Sequence, residues 1–449
     1  MKLSKVILTI CLFCPVFIFT GENESGEIAA YIEISLKTEV LDIWYPRCID
    51  MKYGGYLCDF SYNWEENGSQ DKMIVTQARQ LWTTSESAMN YKEKKYGQLA
   101  ANGFKFLNEK MWDPENGGFF ERLNRKGKVK NEGSKTAYGN AFAIYGLTSY
   151  FKLSGDSSAL NLAKKTFLWL EKYSHDSEYK GYYNNLNRNG SLPSAGQFGQ
   201  PDQKDQNSSI HLLEAFTNLY QVWPDHLLRE RLQELLTLIR DTITTKKGYL
   251  TLFMQRDWTP VSLKDLSESE YRRRYYADHV SFGHDVETAY LMLEASHVLA
   301  LKPDTLTLTK SKKMVDHALA NGWDKENFGF FDAGYYFKNS NKITIINDKK
   351  IWWVQAEGLN ALLLMSFLFP DETKYYQAFK NQWEYIDKYM IDHKYGGWYS
   401  EGLDRSPEYD RRPKGYDWKA NYHNFRAMLN CIRMLRGESD LLSEIKSAD

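Results

Sequence analysis

Cysteine is nearly absent: Cys11 and Cys14 sit in an apolar leader, leaving only Cys48, Cys58 and Cys431. An odd set this small allows one disulfide at most, which excludes a cystine-stapled fold. Cys48 and Cys58 could form that pair, and the sequence leaves the point open. Charge of one sign is missing too, with 57 Lys+Arg against 58 Asp+Glu and a net charge of -1. No excess of cations supplies the counterion release that drives nucleic-acid binding, so that class is set aside. There is no H-E-x-x-H helix, no cysteine cluster and no carboxylate-rich loop, which argues against a metal centre. Histidine is also rare, at 9.

Only one apolar run is long enough to notice. Lys2 and Lys5 precede Val6 to Phe19, and a polar stretch follows, the pattern of a secretory leader over residues 1–21. The run is short for a membrane span of about 20 residues, which leaves an uncleaved anchor as the lesser reading. Neither leader cysteine follows a small residue, so lipidation is not favoured. A periplasmic or secreted protein is expected, with no membrane attachment after cleavage.

What the chain has in plenty is aromatic residues, 15% with 13 Trp and 31 Tyr. Rings in that number suit a protein that stacks against sugars, although a large helical core accounts for many of them. A glycine-aromatic turn recurs at Gly54-Gly55-Tyr56, Gly117-Gly118-Phe119, Gly181-Tyr182, Gly248-Tyr249, Gly329-Phe330 and Gly396-Gly397-Trp398, about 63 to 81 residues apart. Between the turns, Ala137 to Leu153, Leu160 to Tyr173, Ile210 to Val222, Leu227 to Thr244 and His284 to Leu301 carry apolar residues at helical spacing. Two helices per repeat, six times over, predict an all-α fold, an (α/α)6 barrel with its turns gathered at one end. No Pro/Ser-rich linker interrupts the series, so residues 22–449 are expected to form a single domain. The fourth copy is the weakest. Beside it Asp265 to Asp278 reads as a polar insertion without helical period, long enough to serve as a lid.

Several polar residues stand out on these helices. Asn207, His211 and Glu214 fall on one helical face. His284 opens a helix, with Glu287 three residues on and placed to orient it. Trp418 and His423 open the last helix, while His393 belongs to an exposed turn. Arg79 is a lone cation in an uncharged stretch, suited to sugar oxygens or an oxyanion, with an internal salt bridge as the bland alternative. Trp353 and Glu357 share a helical face, whereas Trp352 points elsewhere as a core residue.

Taken in order, the strings Trp44 to Phe60, QARQLW, NSSIHLLEAFTNLY, FGHDVETAYLMLEA, WWVQAE and WKANYHNFR resemble the N-acylglucosamine 2-epimerase superfamily, most closely its cellobiose and mannobiose 2-epimerase branch. The resemblance spans nearly the whole chain after the leader. It implies that His423 and His284 are acid/bases, with Glu287 supporting His284 and Arg79 stabilising an enediolate. It further implies that Asn207, His211, Trp353, Glu357 and Trp418 bind the sugar, with no metal and no cofactor. The expected partner is a sugar or oligosaccharide substrate, and the chain is expected to be a monomer. Thr84 and Asn421 depart from the family, which often has Phe and Pro there. The alternatives are a monosaccharide epimerase or mannose isomerase, a glycoside hydrolase on the same barrel, which would need two opposed carboxylates, and a sugar-binding protein without catalysis.

Overall fold

A helix that is apolar on every side must be walled in by protein, whereas one with a polar face can take the outside. The computed structural model, which describes residues 24–194, 202–301 and 304–443, sorts its helices in this way. In chain order the long helices are α1 (Glu24–Ser35), α2 (Ile74–Tyr91), α3 (Lys94–Phe106), α4 (Ala137–Ser154), α5 (Ser157–Tyr173), α6 (Gln206–Tyr220) and α7 (His226–Leu238). They continue with α8 (Glu268–Arg274), α9 (Phe282–Val298), α10 (Thr305–Asn321), α11 (Trp352–Leu368), α12 (Lys374–Tyr385) and α13 (Tyr422–Leu435). In α4 every residue from Ala137 to Tyr150 is buried, and in α11 every residue from Val354 to Met365. In α3, by contrast, burial is confined to Tyr96, Ala100, Gly103, Phe104 and Phe106, a stripe on one face.

Helices α2, α4, α6, α9, α11 and α13 pack side by side in that order, and α13 returns to α2 to close the ring. Outside them, α3, α5, α7, α10 and α12 each pair with the inner helix that precedes them, and α1 covers α13. This is the (α/α)6 barrel expected from the repeats. The helix expected over Leu227 to Thr244 is divided: α7 ends at Leu238, and a π-turn covers Ile239–Ile243, closed by Thr244 N–H to Ile239 O at 3.0 Å. Widening the last turn re-aims the chain toward its glycine hairpin. Glycine is required in these hairpins: Gly118 has φ +69°, and a Cβ there would sit 2.9 Å from the Trp169 ring.

Neighbouring repeats are joined by buried ion pairs that the sequence reading did not anticipate. The turn aspartates Asp50, Asp113, Asp176, Asp324 and Asp392 receive Lys72, Lys135, Lys204, Lys350 and Lys414 from the chain that follows, at 2.6 to 3.0 Å. Arg125, Arg188, Arg256 and Arg405 add a second cation to the first four of these carboxylates. The fourth repeat has Thr245 and Val280 where this staple would stand, which explains its weakness as a sequence copy. Lys414→Met strands the Asp392 carboxylate, which is 2% exposed and has no second cation among the described residues. The variant is expected to lose about 3 kcal/mol in a urea titration, since removing one partner leaves an uncompensated buried charge.

Beside the unstapled repeat, the insertion over Asp265 to Asp278 is not the irregular loop expected. Ser267 and Glu270 form a reciprocal capping box that starts α8. Tyr271 is buried, stacks on Tyr335 at 3.8 Å, and forms a small separate core with Leu263 and Ala277. Seven helical residues were too few for a period to register. Cys48 and Cys58 are buried free thiols, and no disulfide joins them. The Cys58 sulfur faces Asp59, Asp71 O and Asp417, each at 3.6 Å. Among the described residues no helix is long and apolar enough to cross a membrane. The leader expected at residues 1–21 lies outside them.

Candidate active site

The N-terminal halves of the inner helices bring the singled-out residues together, except Trp418, which was expected at the opening of the last helix and lies in the turn before α13. At the centre is a residue the sequence reading quoted but gave no role. Arg426, three residues after His423 on α13 and 2% exposed in its side chain, meets three carboxylates from three helices. Its Nη1 pairs with Glu214 of α6, and its Nη2 lies 2.5 Å from Glu287 of α9 and 2.7 Å from Glu357 of α11. Tyr422 donates its hydroxyl to Glu214 as well.

Two of these carboxylates reach on to imidazoles. His423 Nδ1 lies 2.7 Å from Glu357 Oε1, and His211 Nδ1 lies 2.8 Å from Glu214 Oε2. A carboxylate can only accept, so Nδ1 of each ring carries the proton and Nε2 is left with a lone pair. His284 differs from expectation. Its Nδ1 bonds Ser281 Oγ at 2.8 Å, while Glu287 turns to Arg426 and approaches His423 at 3.9 Å. At the opening of the helix, the serine on the preceding strand reaches the ring instead of the carboxylate one turn on. Glu357, expected to hold a sugar hydroxyl, is 0% exposed and stands behind His423.

The remaining residues line the space in front. The Trp353 ring lies 4.6 Å from His284 and 5.9 Å from His423, so both imidazoles flank one indole. Arg79 forms no ion pair among the described residues. It donates to Tyr138 Oη at 2.9 Å and stacks over Phe142 at 4.3 Å. Tyr138 was not foreseen, although it opens α4 where the repeat frame puts a ring-facing residue. Asn207 is half-buried on α6, close to Tyr138. Trp418 is 49% exposed, with its ring 6.2 Å from Tyr138. Trp352 is buried against Tyr416, as expected of a core residue. Thr84 is fully buried with its hydroxyl on Gln80 O, and His393 sits in an exposed turn.

The electrostatics follow from burial. Burial pushes the Glu214 carboxyl up, but Arg426, His211 and Tyr422 overcome it and hold it at about 2. For Glu357 burial prevails over Arg426 and raises it. Burial lowers His423 well below the usual imidazole range, with Arg79 adding to the effect, and lowers His284 likewise, with His211, His279 and His423 adding. Glu287, Glu357 and His423 bring ligand atoms within 4.8 Å of one another, but Arg426 already supplies a cation to both carboxylates.

These directions fix the sign of a pH effect. Both rings are neutral at pH 7 and take up protons only well below about 6.5, so the folded state loses stability as pH falls through that value. For activity that depends on the neutral rings, kcat/KM is expected to be level above about pH 6.5 and to fall on the acid side. An acid limb set above pH 7 would contradict the burial argument.

Residues 55–427 match the N-acylglucosamine 2-epimerase (GlcNAc 2-epimerase) family. The chain belongs to that family. Among its relatives, a cellobiose 2-epimerase of Bacteroides fragilis is 29% identical over 405 residues, covering 89% of this chain and 96% of the relative. A D-mannose isomerase of Marinomonas mediterranea is 22% identical over 409 residues, covering 88% and 95%. The solved structure of a cellobiose 2-epimerase from Bacillus thermoamylovorans superposes with a TM-score of 0.79 at 26% identity, covering 91% of this chain and 99% of that one. Family membership therefore accounts for nearly the whole barrel, the candidate site included.

Proposed function

We propose that this carbohydrate epimerase or isomerase inverts C2 of the reducing-end aldose of a β-1,4-linked disaccharide, with His423 and His284 as its acid/bases. The observation that carries the reading is the pair of imidazoles, each fixed through Nδ1 by a neighbour and both set against the Trp353 ring. The relatives named cellobiose 2-epimerase and the exposed Trp418 at the cavity mouth favour a disaccharide over a single sugar.

Ring opening exposes the C1 aldehyde and acidifies the C2 proton. One imidazole takes that proton through its Nε2 lone pair. The C–H electron pair forms the C1–C2 double bond, and O1 becomes the oxyanion of an enediolate. The Arg79 cation and the converging N-termini of the inner helices stabilise this charge. The negative charge raises the proton affinity of the second imidazole, which returns a proton drawn from water to the other face of C2, while the first imidazolium gives its proton to the hydroxide left behind and both rings are neutral again. The electron pair on O1 then restores the carbonyl. Trp353 holds the sugar between the rings, Glu357 and Glu214 orient His423 and His211, and Asn207, His211 and Trp418 hold hydroxyls and the second sugar.

A second reading is favoured by the D-mannose isomerase relative: the same enediolate reprotonated at C1 would yield a ketose. Incubating the protein separately with cellobiose and mannose, and separating the products, tests the choice. A 2-epimer from cellobiose is expected; a ketose formed only from mannose would overturn the disaccharide reading.

A further inference from the structure

Asp285, the fourth residue of α9, is a fully buried carboxyl that the proposed chemistry leaves unused. The fourth residues of α2, α4 and α11 are amides, Gln77, Asn140 and Gln355. Each accepts the N–H of the aromatic residue in its glycine turn, Tyr56, Phe119 and Phe330, at 2.8 to 2.9 Å. Asp285 does the same for Leu250 of the fourth turn, at 2.9 Å. The other atom of each amide is an NH2 group that donates to a backbone carbonyl: Gln77 to Tyr56 O, Asn140 to Thr136 O and Gln355 to Phe330 O, each at 2.8 Å. In Asp285 that place belongs to Oδ2, which is buried and has no donor among the described residues.

No cation answers this carboxyl, and burial raises it well above the usual range. The titratable groups that face it are the phenols of Tyr249 and Tyr336. His317 of α10 and Lys247 are both turned to Tyr336, the first bonding its Oη at 2.9 Å and the second lying over its ring at 3.7 Å. An ionised carboxylate would stand here without a counter-charge, whereas a carboxylic acid supplies the donor that the position calls for. Asn140 has the same length, and its acceptor Thr136 O lies four residues back, just before the helix; the equivalent of that carbonyl for Asp285 is Ser281 O. Ser281 is also the residue whose Oγ holds His284 Nδ1. We infer that Asp285 is carried as a neutral carboxylic acid that donates to Ser281 O, a proton-dependent brace that positions Ser281 and, through it, His284. The positioning half of the inference rests on the proposed function.

Infrared difference spectra of the full chain, parent minus Asp285→Asn, are expected to show at pH 7 a protonated-carboxyl band that shifts in D2O. A pair of carboxylate bands in its place would overturn the inference. Isotope labelling of the aspartates in the parent reads the same band without any variant. Stability gives a second reading, because an acid kept neutral by the fold contributes most below its unfolded value near 3.8 and loses that contribution as pH rises toward its folded value. In urea titrations Asp285→Asn is therefore expected to match the parent at about pH 4 and to exceed it at about pH 8. A gap of constant size, or one that favours the parent at the higher pH, would overturn the inference. Asp285→Leu, which can brace neither group, is expected to lower kcat for the disaccharide severalfold at unchanged KM, with Asp285→Asn recovering it; equal losses in both would overturn the positioning role. Spectra and urea midpoints as expected, with no turnover by the parent, would retire the epimerase reading and leave the neutral acid standing.

Discussion

His423→Asn is expected to lower conversion of the disaccharide to its 2-epimer by about a thousandfold, the range a positioned general acid/base contributes. Asparagine retains an N–H for Glu357, so the buried hydrogen bond that His423 makes at 2.7 Å need not be abandoned and the barrel stays folded. What disappears is the Nε2 lone pair. In the proposed two-base mechanism His284 is left to act alone, so the two epimers should no longer behave alike, and solvent exchange at C2 should persist for one of them only. Progress curves from both epimers by proton NMR, with a circular-dichroism melt as the control, read this directly. Conversion within a few-fold of the parent would remove His423 from the chemistry.

The largest loss of stability is expected from Arg426→Leu. Three carboxylates on three helices converge on this guanidinium, and all of them are essentially without solvent. Deleting one partner of a single buried pair costs about 3–5 kcal/mol, so a hub serving three should cost at least that. The pH dependence separates the electrostatic cause from lost packing. In the parent, Glu214 is held at about 2, below its unfolded value near 4.5, so its stabilisation is present above pH 4.5 and is lost as pH falls toward 2. Without Arg426, burial is left to raise the Glu214 and Glu357 carboxyls above their unfolded values, and the chain folds more readily once they are protonated. Urea midpoints of parent and variant should lie far apart at pH 7 and approach each other near pH 4. A gap that does not change with pH would mean that packing, not charge, was lost.

How much of this could be read from the chain depended on where each signal resides. The six glycine turns and the apolar periodicity of α4 or α9 are local, and they led to the barrel. His211 and Glu214 lie three apart on one helix, and they pair as that spacing suggests. The same rule failed for His284 and Glu287, because the ring stands at the very start of α9, where Ser281 can reach back to it. Contacts between helices left no trace in spacing. Arg426 looked like one charge at the end of a string, and nothing local says that Glu214, Glu287 and Glu357 would meet it. The aspartate and lysine staples were hidden likewise, each partner lying 22 to 28 residues from the other along the chain. Their loss in the fourth repeat was visible only as a poor copy.

The central claim is that two imidazoles act on the two faces of C2, and the label pattern of the first turnovers in D2O tests it most directly. Cellobiose is incubated with the protein and sampled by proton NMR well before equilibrium. With two bases, the 2-epimer is expected to carry deuterium at C2 from its first appearance, while the remaining cellobiose is still protonated there. A 2-epimer that keeps the original C2 proton would contradict the claim, since a single group would then have taken that proton and given it back.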